Sequence, residues 1–171
     1  MKLNPNPYQN MKSRLLYTAG FLALIFCGCK SNDTLTTKNT SVIEINNEDS
    51  IDNLKCRINT AQNTKRLGNN VRSIETENNF VVLNMTFTNE STATKTLYYS
   101  MITYHRGESK YEPSSAGMYT DNGFYFSLDI DAGLKKTTNI VFEIPSAFVS
   151  SDYIPVTEDL YSSNSIKIYL D

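Results

Sequence analysis

The chain has 171 residues, which suggests one domain plus extensions. Its 16 Lys and Arg against 18 Asp and Glu include no basic run longer than Lys65-Arg66 or Lys135-Lys136. That disfavours nucleic acid and anionic lipid as electrostatic partners, because both need clustered cations.

Taken in chain order, the first 28 residues carry Lys2, Lys12 and Arg14 and no acid. Apolar density peaks from Leu15 to Phe26, shorter than the roughly 20 residues a spanning helix needs. The segment from Met11 is by itself a compact signal. Phe26-Cys27-Gly28-Cys29 resembles the lipobox that ends bacterial lipoprotein signals. Gly28 suits a peptidase that accepts only small side chains there; Cys27 is the weaker candidate, since bulky Phe26 precedes it. Residues 1–28 are therefore expected to be a lipoprotein signal peptide and Cys29 the lipidation site. An ordinary secretory signal or an N-terminal anchor helix stays open as the alternative.

Without the signal, 13 basic and 18 acidic residues leave a net charge of −5. A single acyl chain gives only reversible membrane binding. Lipoprotein cysteines of the kind Cys29 resembles carry two or three, which implies a permanent anchor. Lys30, and not the Asp that would resemble an inner-membrane retention signal, directly follows Cys29 in Cys29-Lys30-Ser31-Asn32-Asp33. The implied location is the cell envelope, at the outer membrane, facing the periplasm or the surface.

Residues 29–50 are read as the lipidated Cys and a flexible tether. Val42, Ile43 and Ile45 are its apolar patch, too little to offset ordering entropy. Asp33-Thr34-Leu35 and Asp49-Ser50-Ile51 resemble Bacteroidetes O-glycosylation sites.

Residues 51–171 have period two. Leu54, Cys56 and Ile58 alternate with polar residues. Phe80 to Thr88 is the clearest strand, with Val81, Leu83, Met85 and Phe87 on one face and Asn84, Thr86 and Thr88 on the other. Leu97 to Tyr104 reads as a strand, His105 to Glu108 as a hairpin turn, and Asp121-Asn122-Gly123 as a turn into a strand from Phe124 to Ile130. Asp131-Ala132-Gly133 turns into Thr138 to Ile144, which Pro145 stops. Ile166 to Leu170 closes the chain. About seven strands and no helix predict an all-β, immunoglobulin-like β-sandwich, in which a fragment starting near Ser50 should fold alone as a monomer.

Phe80 to Asn89, then Gly107-Glu108-Ser109-Lys110-Tyr111, then Ala132-Gly133 followed by Val141 to Pro145, together resemble a domain-of-unknown-function family of immunoglobulin-like domains carried on bacterial lipoproteins. Its sandwich is similar to that of a secreted mycobacterial immunogenic antigen. The resemblance covers residues 52–170 and implies the sandwich fold. It transfers no catalytic residues.

Chemistry-bearing residues are sparse. His105 is the only histidine and Cys56 the only cysteine of the domain, so neither a zinc set nor a disulfide framework can form, and Cys56 reads as a buried small hydrophobe. No cofactor or metal is expected. Asp129 and Asp131, near Asp121, are the calcium alternative; Glu108 and Glu112 are the acids a hydrolase would need to bring together. Of nine tyrosines after the signal, Tyr98, Tyr99, Tyr104 and Tyr111 are the candidate contact face, because Tyr gives contact area at low entropy cost. The expectation is a membrane-anchored, non-enzymatic binding domain for an envelope protein or extracellular ligand. The alternatives are an envelope hydrolase using loop carboxylates and a structural surface antigen.

Overall fold

The computed structural model describes residues 42–124 and 126–171. The expected signal, Cys29 and the expected tether up to residue 41 lie outside the described residues. Among the described residues the chain forms ten strands: β1 (Val42–Ile51), β2 (Leu54–Gly68), β3 (Ser73–Asn89), β4 (Lys95–Tyr98), β5 (Tyr104–Arg106), β6 (Ser109–Tyr111), β7 (Ser127–Ile130), β8 (Lys135–Ile144), β9 (Tyr153–Thr157) and β10 (Ser165–Tyr169). One sheet has the order β1-β2-β3-β8, a second β10-β9-β5-β6, and β4 pairs β7 as a short ribbon. The all-β sandwich is as expected from the sequence.

The alternation read in β3 decides the packing. Val81, Leu83, Met85 and Phe87 have no exposed surface. They share one core with Cys56 and Ile58 of β2 and with Tyr104, Ile154, Val156 and Ile168 of the second sheet. Each such side chain contributes about 1.5–3 kcal/mol by leaving water. On the outer side of β3, Phe80 and Val82 join Leu67 and Val141 in a second cluster, roofed by Ala116 of a 3-10 turn (Ser115–Tyr119). Farther along, that side becomes polar. Asn59 Nδ2 donates to Asn84 Oδ1 (2.9 Å), Asn84 Nδ2 to Asn139 Oδ1 (2.8 Å), and the Thr86 and Thr137 hydroxyls bond at 2.8 Å. Such cross-strand pairs fix the register of β2, β3 and β8.

Four local expectations are corrected. Among the described residues the sandwich already includes Val42, ahead of the expected boundary at residue 51, because residues 42–50 form most of β1. This strand buries one apolar side chain, Ile45, and is held by its ladder to β2. The hairpin between them turns on Asp52 and Asn53, with φ of 45° and 58°, the pair of positive angles a type I′ turn requires. In addition, Asn47 Nδ2 donates to Asp171 Oδ1 (2.8 Å) and the Tyr169 carbonyl (3.2 Å), tying β1 to the end of β10.

The expected strand Leu97 to Tyr104 is broken by a 3-10 turn at Tyr99–Met101, which carries the chain from the β4–β7 ribbon into the second sheet. The strand expected from Phe124 begins only at Ser127. Gly123 bridges to Asn139 instead, and a Cβ there would lie 1.9 Å from the Gly117 carbonyl oxygen.

Finally, the strand count exceeds seven, in part because β9 was not expected. Pro155 interrupts its pattern, yet is tolerated. Its carbonyl accepts from Thr103 N–H (3.2 Å), so the missing N–H falls on the same side, where β9 meets β5 at the His105–Tyr153 pair and Ile102 at a single bridge.

Candidate interaction face

The second sheet alternates cleanly. Tyr104, Ile154 and Ile168 point into the core, so their neighbours His105, Tyr153 and Tyr169 point to solvent. Register then lines them up: Lys110 pairs with His105, His105 with Tyr153, and Tyr153 with Tyr169. The result is a row across four adjacent strands. The His105 and Tyr153 ring centroids lie 5.1 Å apart with planes at 36°; those of Tyr153 and Tyr169 lie 5.5 Å apart at 45°. Lys167 Nζ sits 5.0 Å from the Tyr153 centroid, within cation–π range. His105 is held at both nitrogens, by the Tyr153 hydroxyl at Nδ1 (3.3 Å) and the Thr103 hydroxyl at Nε2 (3.2 Å). Burial, and then the charges of Lys110 and Lys167, lower its pKa, so the imidazole is neutral at pH 7 and the row's charge resides on the two lysines. On an otherwise acidic domain this is a cationic, aromatic strip.

The four tyrosines singled out in the sequence do not form one face. Tyr104 is corrected outright: it has no exposed surface. Its hydroxyl donates to the buried Asp152 carboxylate, which also accepts from Arg106 and from Val149 N–H (2.8 Å). Arg106 continues to the Ala147 carbonyl (2.7 Å), so the cluster fastens the loop after β8 to β5. Burial pushes the Asp152 carboxyl up, but the hydrogen bonds from Arg106, Tyr104 and Val149, with the Arg106 charge, hold it below its ordinary value. Burial, followed by Asp152, pushes the Tyr104 hydroxyl well above the usual tyrosine range.

Tyr111 is half-buried and packs edge-on to Tyr104, with centroids 6.1 Å apart. Tyr98 is exposed at the end of β4, and half-buried Tyr99 opens the 3-10 turn. Neither Tyr153 nor Tyr169 was singled out. The signal for both was present in alternation, Tyr153-Ile154-Pro155-Val156 and Ile166-Lys167-Ile168-Tyr169, which puts both tyrosines opposite the isoleucines.

The candidate carboxylates are engaged or scattered. Thr96 Oγ1 donates to Asp129 (2.6 Å) and Thr94 Oγ1 to Asp131 (3.2 Å). Glu108 is in the β5–β6 turn and Glu112 follows β6. Among the described residues no group of three or more His, Cys, Asp or Glu side chains is placed to hold a metal ion, and no helix is long and apolar enough to cross a membrane. Cys56 is fully buried, and burial, followed by Asp49, pushes its thiol up to about 12.

A family model described as a domain of unknown function (DUF4352) matches residues 43–166. The fold is similar to that of the yjhA protein from Bacillus subtilis, with a TM-score of 0.57 and 11% identity over 75% of this chain and 98% of that one. It is similar to a conserved hypothetical protein from Bacillus anthracis, with a TM-score of 0.54 and 10% identity over 77% and 97%. A candidate lipoprotein, ycdA from Bacillus subtilis, is similar with a TM-score of 0.55 and 16% identity over 75% of this chain and 39% of that one. At such identities the likeness is one of fold. Comparison with curated proteins finds no match.

Proposed function

The chain belongs to the DUF4352 family, and on that premise we propose that it is a lipid-anchored envelope protein whose sandwich is a non-enzymatic interaction module. The observation that carries the reading is the Tyr169–Tyr153–His105 row, laid across neighbouring strands on the solvent side of a sheet and flanked by Lys167 and Lys110. Aromatic side chains already stacked on one another lose little freedom on contact, and the lysines add attraction for an anionic partner.

The anchor is Cys29, on the strength of the apolar run ending in Gly28-Cys29 and in keeping with the candidate lipoprotein among the similar folds. The location is the envelope, and the protein works as a monomer. Kinship with the sandwich of a secreted mycobacterial antigen belongs to the same proposal. The reading is favoured over hydrolysis by Asp152, which Arg106 and Tyr104 lock in place, and by Asp129 and Asp131, each bonded by a threonine.

The test compares envelope components retained by the anchored protein with those retained by a Tyr153→Ser/Lys167→Ser variant of unchanged melting temperature. Loss of a retained species is expected; equal retention by both would refute the assignment.

A further inference from the structure

We propose that the edge of β8 from Lys135 to Thr137, which no strand among the described residues pairs, accepts an extended acidic segment of a partner protein as an added strand. The hydrogen bonding of β8 identifies the edge. Asn139 N–H donates to the Asn122 carbonyl (3.0 Å), the Asn139 carbonyl accepts from Phe124 N–H (2.8 Å), and the Val141 carbonyl accepts from Ser114 N–H (2.6 Å). These groups point away from β3. The Leu134 carbonyl points the other way, accepting from Asn89 N–H (2.9 Å). Backbone groups alternate sides along an antiparallel strand, so Lys135 and Thr137 turn their N–H and C=O outward with Asn139 and Val141.

Among the described residues, the covering segments stop short of them. Pro113-Ser114 lies against residues 141–142, and Asn122 to Phe124 against residue 139. Lys135 and Thr137 open instead on a groove of about 710 Å³ whose far wall includes Ser127 and Leu128 of β7. An unpaired edge of this kind is a template for a guest strand.

Charge selects the guest. Lys135 pairs with Thr88 and lies on the outer side of the sheet; Lys136 pairs with fully buried Phe87 and lies on the side of the groove between sheets. Both lysines are exposed. A guest strand therefore meets a cation on each of its faces, which suits carboxylates at successive positions. A second copy paired antiparallel at the same edge would set the two lysine pairs against each other, which is unfavourable.

The test uses the full-length protein and a fluorescent decapeptide of Glu and Thr, with a Lys-and-Thr counterpart. The Glu peptide is expected to bind saturably and to slow amide exchange over residues 134–138, and the Lys peptide not to bind. Thr137→Pro removes an outward N–H that no ladder among the described residues uses, so the strand should tolerate it, and binding should weaken about tenfold. Should that variant fail to fold, Lys135→Glu/Lys136→Glu carries the test and should reverse the preference to the Lys peptide. The proposal is overturned if the two peptides bind equally, if neither binds, if protection appears elsewhere, or if residues 134–138 are protected by concentration-dependent self-association instead.

Discussion

The Tyr104 hydroxyl donates to the carboxylate of Asp152, 48 residues away in sequence, and both side chains are almost wholly removed from solvent. With Arg106 on the same carboxylate, a residue type that reads as contact surface becomes part of an internal tie between β5 and the loop after β8. Because the folded Asp152 pKa is depressed, its stabilisation is complete above the ordinary carboxylate value of about 4 and is lost as pH falls from there through the folded pKa. Asp152→Asn should cost about 3 kcal/mol at pH 7, the low end for breaking a buried pair, since Arg106 keeps some solvent contact. It should also flatten the decline in stability below pH 4. Urea melts of both proteins between pH 3 and 7 check this; parallel curves would contradict it.

Leu83→Asp should unfold the domain, because Leu83 has no exposed surface and lies among Val81, Met85 and Phe87, where a carboxylate finds no partner. Thr86→Asp, on the outer side, loses bonds to Asn59 and Thr137 but remains half in water. It should cost about 1–2 kcal/mol. Thermal melts separate the two, and equal loss would mean that the β3 register is wrong.

The position of β1 revises what a minimal domain needs. A fragment from Thr40 should melt like the longer protein. One from Ser50 loses the buried Ile45, the β1–β2 ladder and the Asn47 clamp on Asp171. It should be destabilised by about 2 kcal/mol or more, the contribution of one buried isoleucine alone, and should expose β2 as an edge prone to self-pairing. Equal melting temperatures for the two fragments would show that β1 adds nothing.

Cys29 and Cys56 should behave oppositely. Cys29→Ser should abolish incorporation of a fatty-acid analogue, and undiminished label would sink the anchor assignment. Cys56, buried and with its thiol pushed up to about 12, should resist thiol reagents until the protein unfolds, because the thiolate is the reactive form. Cys56→Ala should change stability by up to about 1–2 kcal/mol; rapid labelling of the native protein would contradict its burial.

The second half of β3 and the end of β8 at Pro145 were legible because one continuous apolar stripe and one stop residue suffice to define them. β1 was not, since a strand with one inward apolar residue is held by backbone pairing, which leaves no mark in hydrophobic pattern. β9 was hidden by Pro155, whose tolerance depends on the thin pairing with β5. The tyrosines show the limit most clearly. Tyr suits a core with a polar partner as well as it suits a surface, and only register separates Tyr104 beside Asp152 from Tyr153 beside His105. Asp152 itself, distant in sequence from Tyr104 and Arg106, carried no local signal.

The most direct test of the interaction face is photocrosslinking in the envelope from position 169, with a photoreactive phenylalanine analogue replacing Tyr169 in the anchored protein. A discrete adduct is expected, and it should be lost when Tyr153→Ser and Lys167→Ser are added. The same analogue at Thr88, on the outer side of the other sheet, should not give that adduct. No adduct from position 169, or the same adduct from both positions, would contradict an interaction module working through this row.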